Sequence, residues 1–293
     1  MWYFGILKSF LNLNKEAAKA WHADNAIQLG AALAFYTTLS IAPLLLVTIS
    51  IFGLVFGEKL ITSELLVQVE QLTSVQIANF LKEVLTNDAQ TSTGVLASFF
   101  GIVSLIIAAA GVFVQLQQSL DDIWGATKTN RKFIVSFILG RLKSFALVFS
   151  IGFLLLVSFI MSAVLTTISN FTLERFPVFL PLLSFFNSVF SLIVISFLFS
   201  AIFKIIPAIK LKWKDVILGG FVTSLLFALG KAAISYYLGY TAVASLYGAA
   251  GSLVIFLIWI YYASQILYYG AEFTKVYATK YGSLVDPQKV QDV

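Results

Sequence analysis

The sequence has no cysteine and a single histidine, His22. Disulfide frameworks, thiolate chemistry and zinc sites built from His and Cys are therefore excluded. Charge is scarce as well: only 11% of the 293 residues are charged, against about 25% in an ordinary soluble domain. There is no Gly-x-x-x-x-Gly-Lys-Ser/Thr loop, which argues against ATP-driven work by this chain alone. What the chain has in excess is apolar surface, with 59% hydrophobic residues and a mean hydropathy of +0.93. A compact soluble fold cannot hide that much of it. The composition is that of an integral membrane protein.

A transmembrane helix needs about 20 predominantly apolar residues, so the gaps between charges locate the crossings. Charge-free stretches run from Asn25 to Gly57, Ala89 to Leu120, Ser144 to Leu173, Phe176 to Phe203 and Ala232 to Ala271. A further stretch, Val216 to Gly230, stops at Lys231 and continues apolar beyond it. The stretch from Ala232 is 40 residues long, too long for one crossing, and Gly239, Thr241 and Gly248 mark a turn within it. The predicted fold class is all-α: one polytopic membrane domain over 1–293 with six transmembrane helices near 30–56, 95–116, 143–168, 182–206, 216–239 and 248–271. The period-two alternation of a transmembrane β-barrel is missing. The N-terminal Met-Trp-Tyr-Phe-Gly-Ile-Leu run is too short, and lacks the preceding basic region, to predict a signal peptide.

Lysine and arginine set the expected orientation. Lys8, Lys15 and Lys19, then Lys128, Arg131, Lys132, Arg141 and Lys143, then Lys204, Lys210, Lys212 and Lys214, and finally Lys275, Lys280 and Lys289 fall on one side, 15 of the 19 basic residues. Only Lys59, Lys82 and Arg175 fall on the other, with Lys231 inside a span. Both termini are expected to be cytoplasmic. The net charge of +5 is then mostly this topological signal, and nucleic acid is not an expected partner.

The largest segment outside the spans is an outer loop over 58–93. Ile61, Leu65, Val69 and Leu72, then Ile77, Phe80, Leu81, Val84 and Leu85, recur at helical spacing. Two amphipathic helices on the outer face or at the interface are predicted there. Phe10 to Asp24 could form a similar surface helix on the inner side. No separate catalytic domain has room to fold in so short a loop.

Polar residues inside spans point to the bundle interior. Lys231 lies 16 residues beyond Asp215, about 24 Å along a helix that rises 1.5 Å per residue. Two readings are open for it: a cation lining a cavity that receives an anionic group, or a long stem that snorkels outwards. Gly220, Ser224 and Ala228 lead up to Lys231 on one small-residue face. Ser158, Ser162 and Thr166 form a second row, and Ser184, Ser188 and Ser191 a third; such rows serve close helix packing or line a polar cavity. Pro43 is expected to kink the first span. Glu272, with Lys212 and Lys214, is placed at the inner face, where Glu272 meets the interface or a basic residue. Asp24-Asn25 suit an N-cap of the first span. Asp121, Asp122 and Asp215 are flanked by lysines in short inner-side loops; Asp121-Asp122 could in principle hold Mg²⁺, and a solvated helix end is the favoured reading for that pair. The tryptophans and the pairs Tyr261-Tyr262 and Tyr268-Tyr269 fit interfacial belts or aromatic packing.

Three groups of residues carry a resemblance. The first is Asp24 with Gly30-Ala31-Ala32-Leu33-Ala34-Phe35-Tyr36, Leu39-Ser40 and Pro43-Leu44-Leu45. The second is Gly111-Val112-Phe113 with Leu116-Gln117 and Ile123-Trp124. The third is Ile206-Pro207 with Lys210, Lys212-Trp213-Lys214-Asp215-Val216 and Gly219, followed by Gly230-Lys231, Tyr247-Gly248, Leu257-Ile258-Trp259-Ile260-Tyr261 and Gly270-Ala271-Glu272. Over roughly residues 20–275 the chain resembles the YihY/BrkB family of bacterial inner-membrane proteins, some of which have carried the labels ribonuclease BN or virulence factor. The resemblance implies a six-span inner-membrane protein with both ends inside, and transport-type roles are suspected for the family.

The expected function is transporter-like movement of an ion, an anionic solute or an envelope lipid, with Lys231, Ser158, Ser162, Ser224, Asp24 and Pro43 lining or gating the path. The alternative is a non-transporting scaffold whose outer loop docks envelope-assembly proteins. No enzyme activity, cofactor or metal is expected, since hydrolysis of RNA would need ligands and a soluble domain that are missing from the sequence.

Overall fold

The computed structural model describes residues 2–88, 111–126, 180–209, 211–240, 247 and 250–284. Among the described residues there are helices and turns and no strand. The helices are α1 (Trp2–Ala23), α2 (Ala26–Phe56), α3 (Glu58–Leu72), α4 (Val75–Asp88), α5 (Leu180–Ile205), α6 (Trp213–Tyr240) and α7 (Gly251–Lys280), with a further helical stretch over 111–123. Three segments among them are long and apolar enough to cross a membrane: Ser188–Ile205, Trp213–Ile234 and Gly251–Lys280. Within α2, Ala26–Ile41 is a shorter apolar segment. The predicted span at 143–168, and the part of 95–116 before residue 111, lie outside the described residues.

The chain divides into two compact units. The first comprises Met1–Ala26, Leu120–Ala228 and Ile266–Val293. Here α1 docks on α7 through positions one helical face apart: Leu13 and Ala17 bury against Phe273, with Val222, Tyr269, Val276 and Tyr277 around them. Phe10 meets Phe273 edge-on at 6.1 Å. The opposite face of α1 carries Lys8, Lys15 and Lys19, all exposed, as an amphipathic surface helix requires. The α6 and α7 backbones approach closely because each offers glycine where the other offers threonine. A Cβ at Gly219 would overlap the Thr274 hydroxyl, and one at Gly270 would overlap that of Thr223. Each threonine hydroxyl donates to the carbonyl four residues back, Thr223 to Gly219 and Thr274 to Gly270, both at 2.6 Å. The seam is thus polar in composition yet satisfied within each helix.

The second unit comprises Ile27–Ser119 and Leu229–Gln265. Gly57, with φ of 91°, is the single residue between α2 and α3, a left-handed conformation that glycine adopts without a Cβ penalty. The α3–α4 hairpin realises the two amphipathic helices expected over 58–93. Ile77, Ala78 and Leu81 of α4 are buried, and Phe80 packs on Phe256 of α7 with ring centroids 5.3 Å apart. Elsewhere in the unit Gly111 admits the Tyr36 ring, and Gly230 admits Tyr262.

Two boundaries differ from expectation. The last span is expected at 248–271, whereas α7 continues to Lys280; Lys275 and Lys280 lower its hydropathy, but Phe273, Val276 and Tyr277 keep an apolar face that α1 covers. Helix α2 begins at Ala26, four residues before the expected 30, because the chain turns at Asn25, whose φ is 53°. The helix is continuous through Pro43.

Candidate functional site

The second unit holds Lys231. Its ammonium donates to the carbonyl of Gln71 in the last turn of α3, where a cation offsets the negative end of the helix dipole. The same unit contains a polar group that a search for charges and hydroxyls does not reveal. Gln265 sits half way along α7, and among the described residues neither its Oε1 nor its Nε2, both buried, has a hydrogen-bond partner. It faces Gly30 of α2, where any Cβ would collide with its Nε2. Neighbouring Ser264 is buried but self-satisfied, donating to the Ile260 carbonyl at 2.7 Å. The small residue at position 30 makes room for the amide.

The first unit holds most of the other candidates. Ser224 is fully buried and donates to the Phe221 carbonyl at 2.8 Å, within its own helix. Gly220, on the same face of α6, lies directly over Ser200 of α5. Lys212 and Lys214 are exposed at the start of α6, flanking Trp213, which stacks on Phe197 at 6.0 Å. Asp215, in the first turn of α6, is buried. It is 4% exposed and accepts from the Ser283 backbone N at 3.1 Å and from the Ser283 hydroxyl. Asp121 likewise accepts from the Ala208 N at 2.7 Å; both acids fasten turns.

Asp24 closes α1, its N donating to the Ala20 carbonyl at 2.8 Å. Its carboxylate turns to α7 and accepts from Lys275 at 3.1 Å, so the side chain ties the α1–α2 turn to the last helix. Lys275 also lies 3.5 Å from Glu272 Oε2. Glu272 itself is fully buried. Flanking this cluster, the Tyr269 hydroxyl donates to Asn14 Oδ1 at 2.9 Å and Lys280 pairs with Glu16 at 2.6 Å. Ser158 and Ser162 lie outside the described residues.

A fold of long apolar helices, with its few buried polar groups on helix faces, defines the class: a helical membrane protein. Comparison with known proteins gives the family. The family described as Virulence factor BrkB matches residues 17–292, and the chain belongs to it. Relatives are named UPF0761 membrane proteins. One from Haemophilus influenzae is 29% identical over 87% of this chain and 90% of its own length. One from Aggregatibacter aphrophilus is 27% identical over 88% and 89%. One from Bordetella petrii is 26% identical over 87% of this chain but only 55% of its own greater length. No solved structure matches.

Proposed function

We propose that this chain is a six-span protein of the bacterial inner membrane, with both termini cytoplasmic, that moves an ion, an anionic solute or an envelope lipid through a partly polar interior. The observation that carries the reading is Gln265. A buried amide without partners costs about 2–7 kcal/mol in an apolar setting, and a bilayer supplies no water to relieve it. Polar groups kept at such depth mark ligand and ion pathways. An amide both donates and accepts, so it suits a cargo carrying either kind of polar group. Lys231 holds the α3–α4 hairpin at the outer end, where it also offers a positive charge to an anionic cargo. No catalytic step, cofactor or nucleic acid belongs to this reading.

The test is reconstitution into liposomes of bacterial lipids, with one arm following ion or anionic dye flux and another following the transfer of labelled phospholipid between leaflets. Movement above that of protein-free vesicles in either arm is expected. Identity with protein-free vesicles in every arm overturns the reading.

A second reading, a scaffold for envelope proteins, draws on the α3–α4 hairpin, which leaves Leu60, Val67 and Val75 exposed. Deleting Thr62 to Asn87 separates the two: a scaffold loses its copurifying envelope partners, and a transporter keeps its cargo movement.

A further inference from the structure

Glu272 is the most deeply buried acid among the described residues, with a side-chain exposure of 0%. Neither of its carboxylate oxygens has a hydrogen-bond partner among them. Among the described residues, the charged groups facing it are Lys275, one turn further along α7, and Asp24, from the turn between α1 and α2. The other acids on the packed helices are engaged elsewhere: Glu16 of α1 with Lys280, and Asp215 of α6 with Ser283. His22, in the last turn of α1, is exposed.

One ammonium therefore serves two carboxylates. Lys275 favours Asp24, at 3.1 Å with a hydrogen bond, over Glu272, at 3.5 Å without one. With both acids ionised the cluster carries one uncompensated negative charge, and its seat is the member sealed from water. An ionised carboxylate in such a place needs hydrogen bonds or a full counter-charge, and Glu272 has neither to itself. Adding one proton to Glu272 balances the cluster and leaves the Lys275–Asp24 pair intact.

We propose that Glu272 is a proton-binding site, its carboxyl holding the single proton that neutralises the Asp24–Lys275–Glu272 cluster. The route to water is through the partners: Asp24 and Lys275 side chains are 31% and 30% exposed. Asp24 is close enough to relay the proton, and Glu272 in its protonated form can donate to the Asp24 carboxylate. Loss of the proton makes Lys275 divide itself between two carboxylates, which loosens the tie between the α1–α2 turn and α7. The assignment rests on charge balance and burial, and it holds whichever cargo the bundle moves.

Infrared spectroscopy of the reconstituted full chain tests it, because a protonated carboxyl has a C=O stretch distinct from that of a carboxylate. The wild type should show this band at neutral pH, with a shift in deuterated water. Glu272→Gln should lose it, Glu272→Asp should keep a band at an altered frequency, and Lys275→Met should hold the band to higher pH. Asp122→Asn, at an exposed position, should leave it unchanged. The wild-type spectrum decides even where a variant fails to fold: absence of the band at neutral pH overturns the proposal. So does its survival in folded Glu272→Gln, or its loss when sodium replaces choline in the buffer, which would make the site a metal-cation site instead.

Discussion

Thr274 of α7 fills the space that a side chain at Gly219 of α6 would need, and Thr223 of α6 does the same opposite Gly270 of α7. The reciprocal pairing runs antiparallel and draws the two backbones together. Enlarging either glycine must push the helices apart. Gly219→Val is expected to destabilise by about 1–3 kcal/mol, the usual cost of overpacking, and Thr274→Ala added to it should recover part of the loss. Thermal unfolding in detergent measures both, and an unchanged midpoint for Gly219→Val would rule out this packing.

Lys231 acts at a helix end. Lys231→Met removes the cation from the last turn of α3 and should cost about 0.3–1 kcal/mol locally. Hydrogen exchange at the end of α3, around Gln71 to Thr73, should quicken by a few-fold while Lys231→Arg stays near wild type. Equal exchange in the methionine variant would mean that the Gln71 contact has no energetic weight.

The shared ammonium predicts unequal variants. Lys275→Met leaves the Asp24 carboxylate without its cation and should cost about 1–2 kcal/mol, reduced from the value for a sealed pair because the lysine is half-buried. Asp24→Asn should cost less, since Lys275 can then serve Glu272. Because Glu272 carries the proton, Glu272→Gln should recover little of that loss, whereas in the double variant Lys275→Met with Asp24→Asn the paired carboxylate is removed along with the cation, and much of the loss should return. Strict additivity of the two single changes would show that the groups do not interact.

Much of this architecture was legible in the sequence, and the misses have physical causes. The amphipathic helices α3 and α4, over 58–88, are legible in the helical spacing of Ile77, Phe80 and Leu81. The end of α7 did not, because hydropathy drops at Lys275 although one face of the helix stays apolar. Lys231 stood out as a charge in a span, but its partner is a backbone carbonyl 160 residues away, and no local pattern encodes that. Asp24 looked like the start of the first span because acids favour helix N-termini; the turn at Asn25 and the pull of Lys275 give it another role. Gln265 escaped notice because it is uncharged and lies in an apolar run. Its isolation shows only once Gly30 is placed opposite.

The absence of cysteine makes orientation measurable, since each introduced cysteine is the only thiol. Ser63→Cys and Asn79→Cys, exposed on α3 and α4, should label from outside intact cells with an impermeant maleimide. Ser9→Cys, Lys214→Cys and Thr279→Cys, also exposed, should label only after the membrane is opened. Labelling of both sets from the same side would contradict the six-span arrangement.

The central claim is that a polar interior around Gln265 moves cargo, and the most direct measurement is the rate of that movement in proteoliposomes carrying wild type or Gln265→Leu at matched, correctly folded density. Leucine keeps the size and removes both hydrogen-bonding atoms. The account predicts a loss of at least about tenfold, equivalent to ~1.4 kcal/mol for one interaction with the cargo, and partial recovery in Gln265→Asn. A Gln265→Leu protein that moves cargo as fast as wild type would contradict it.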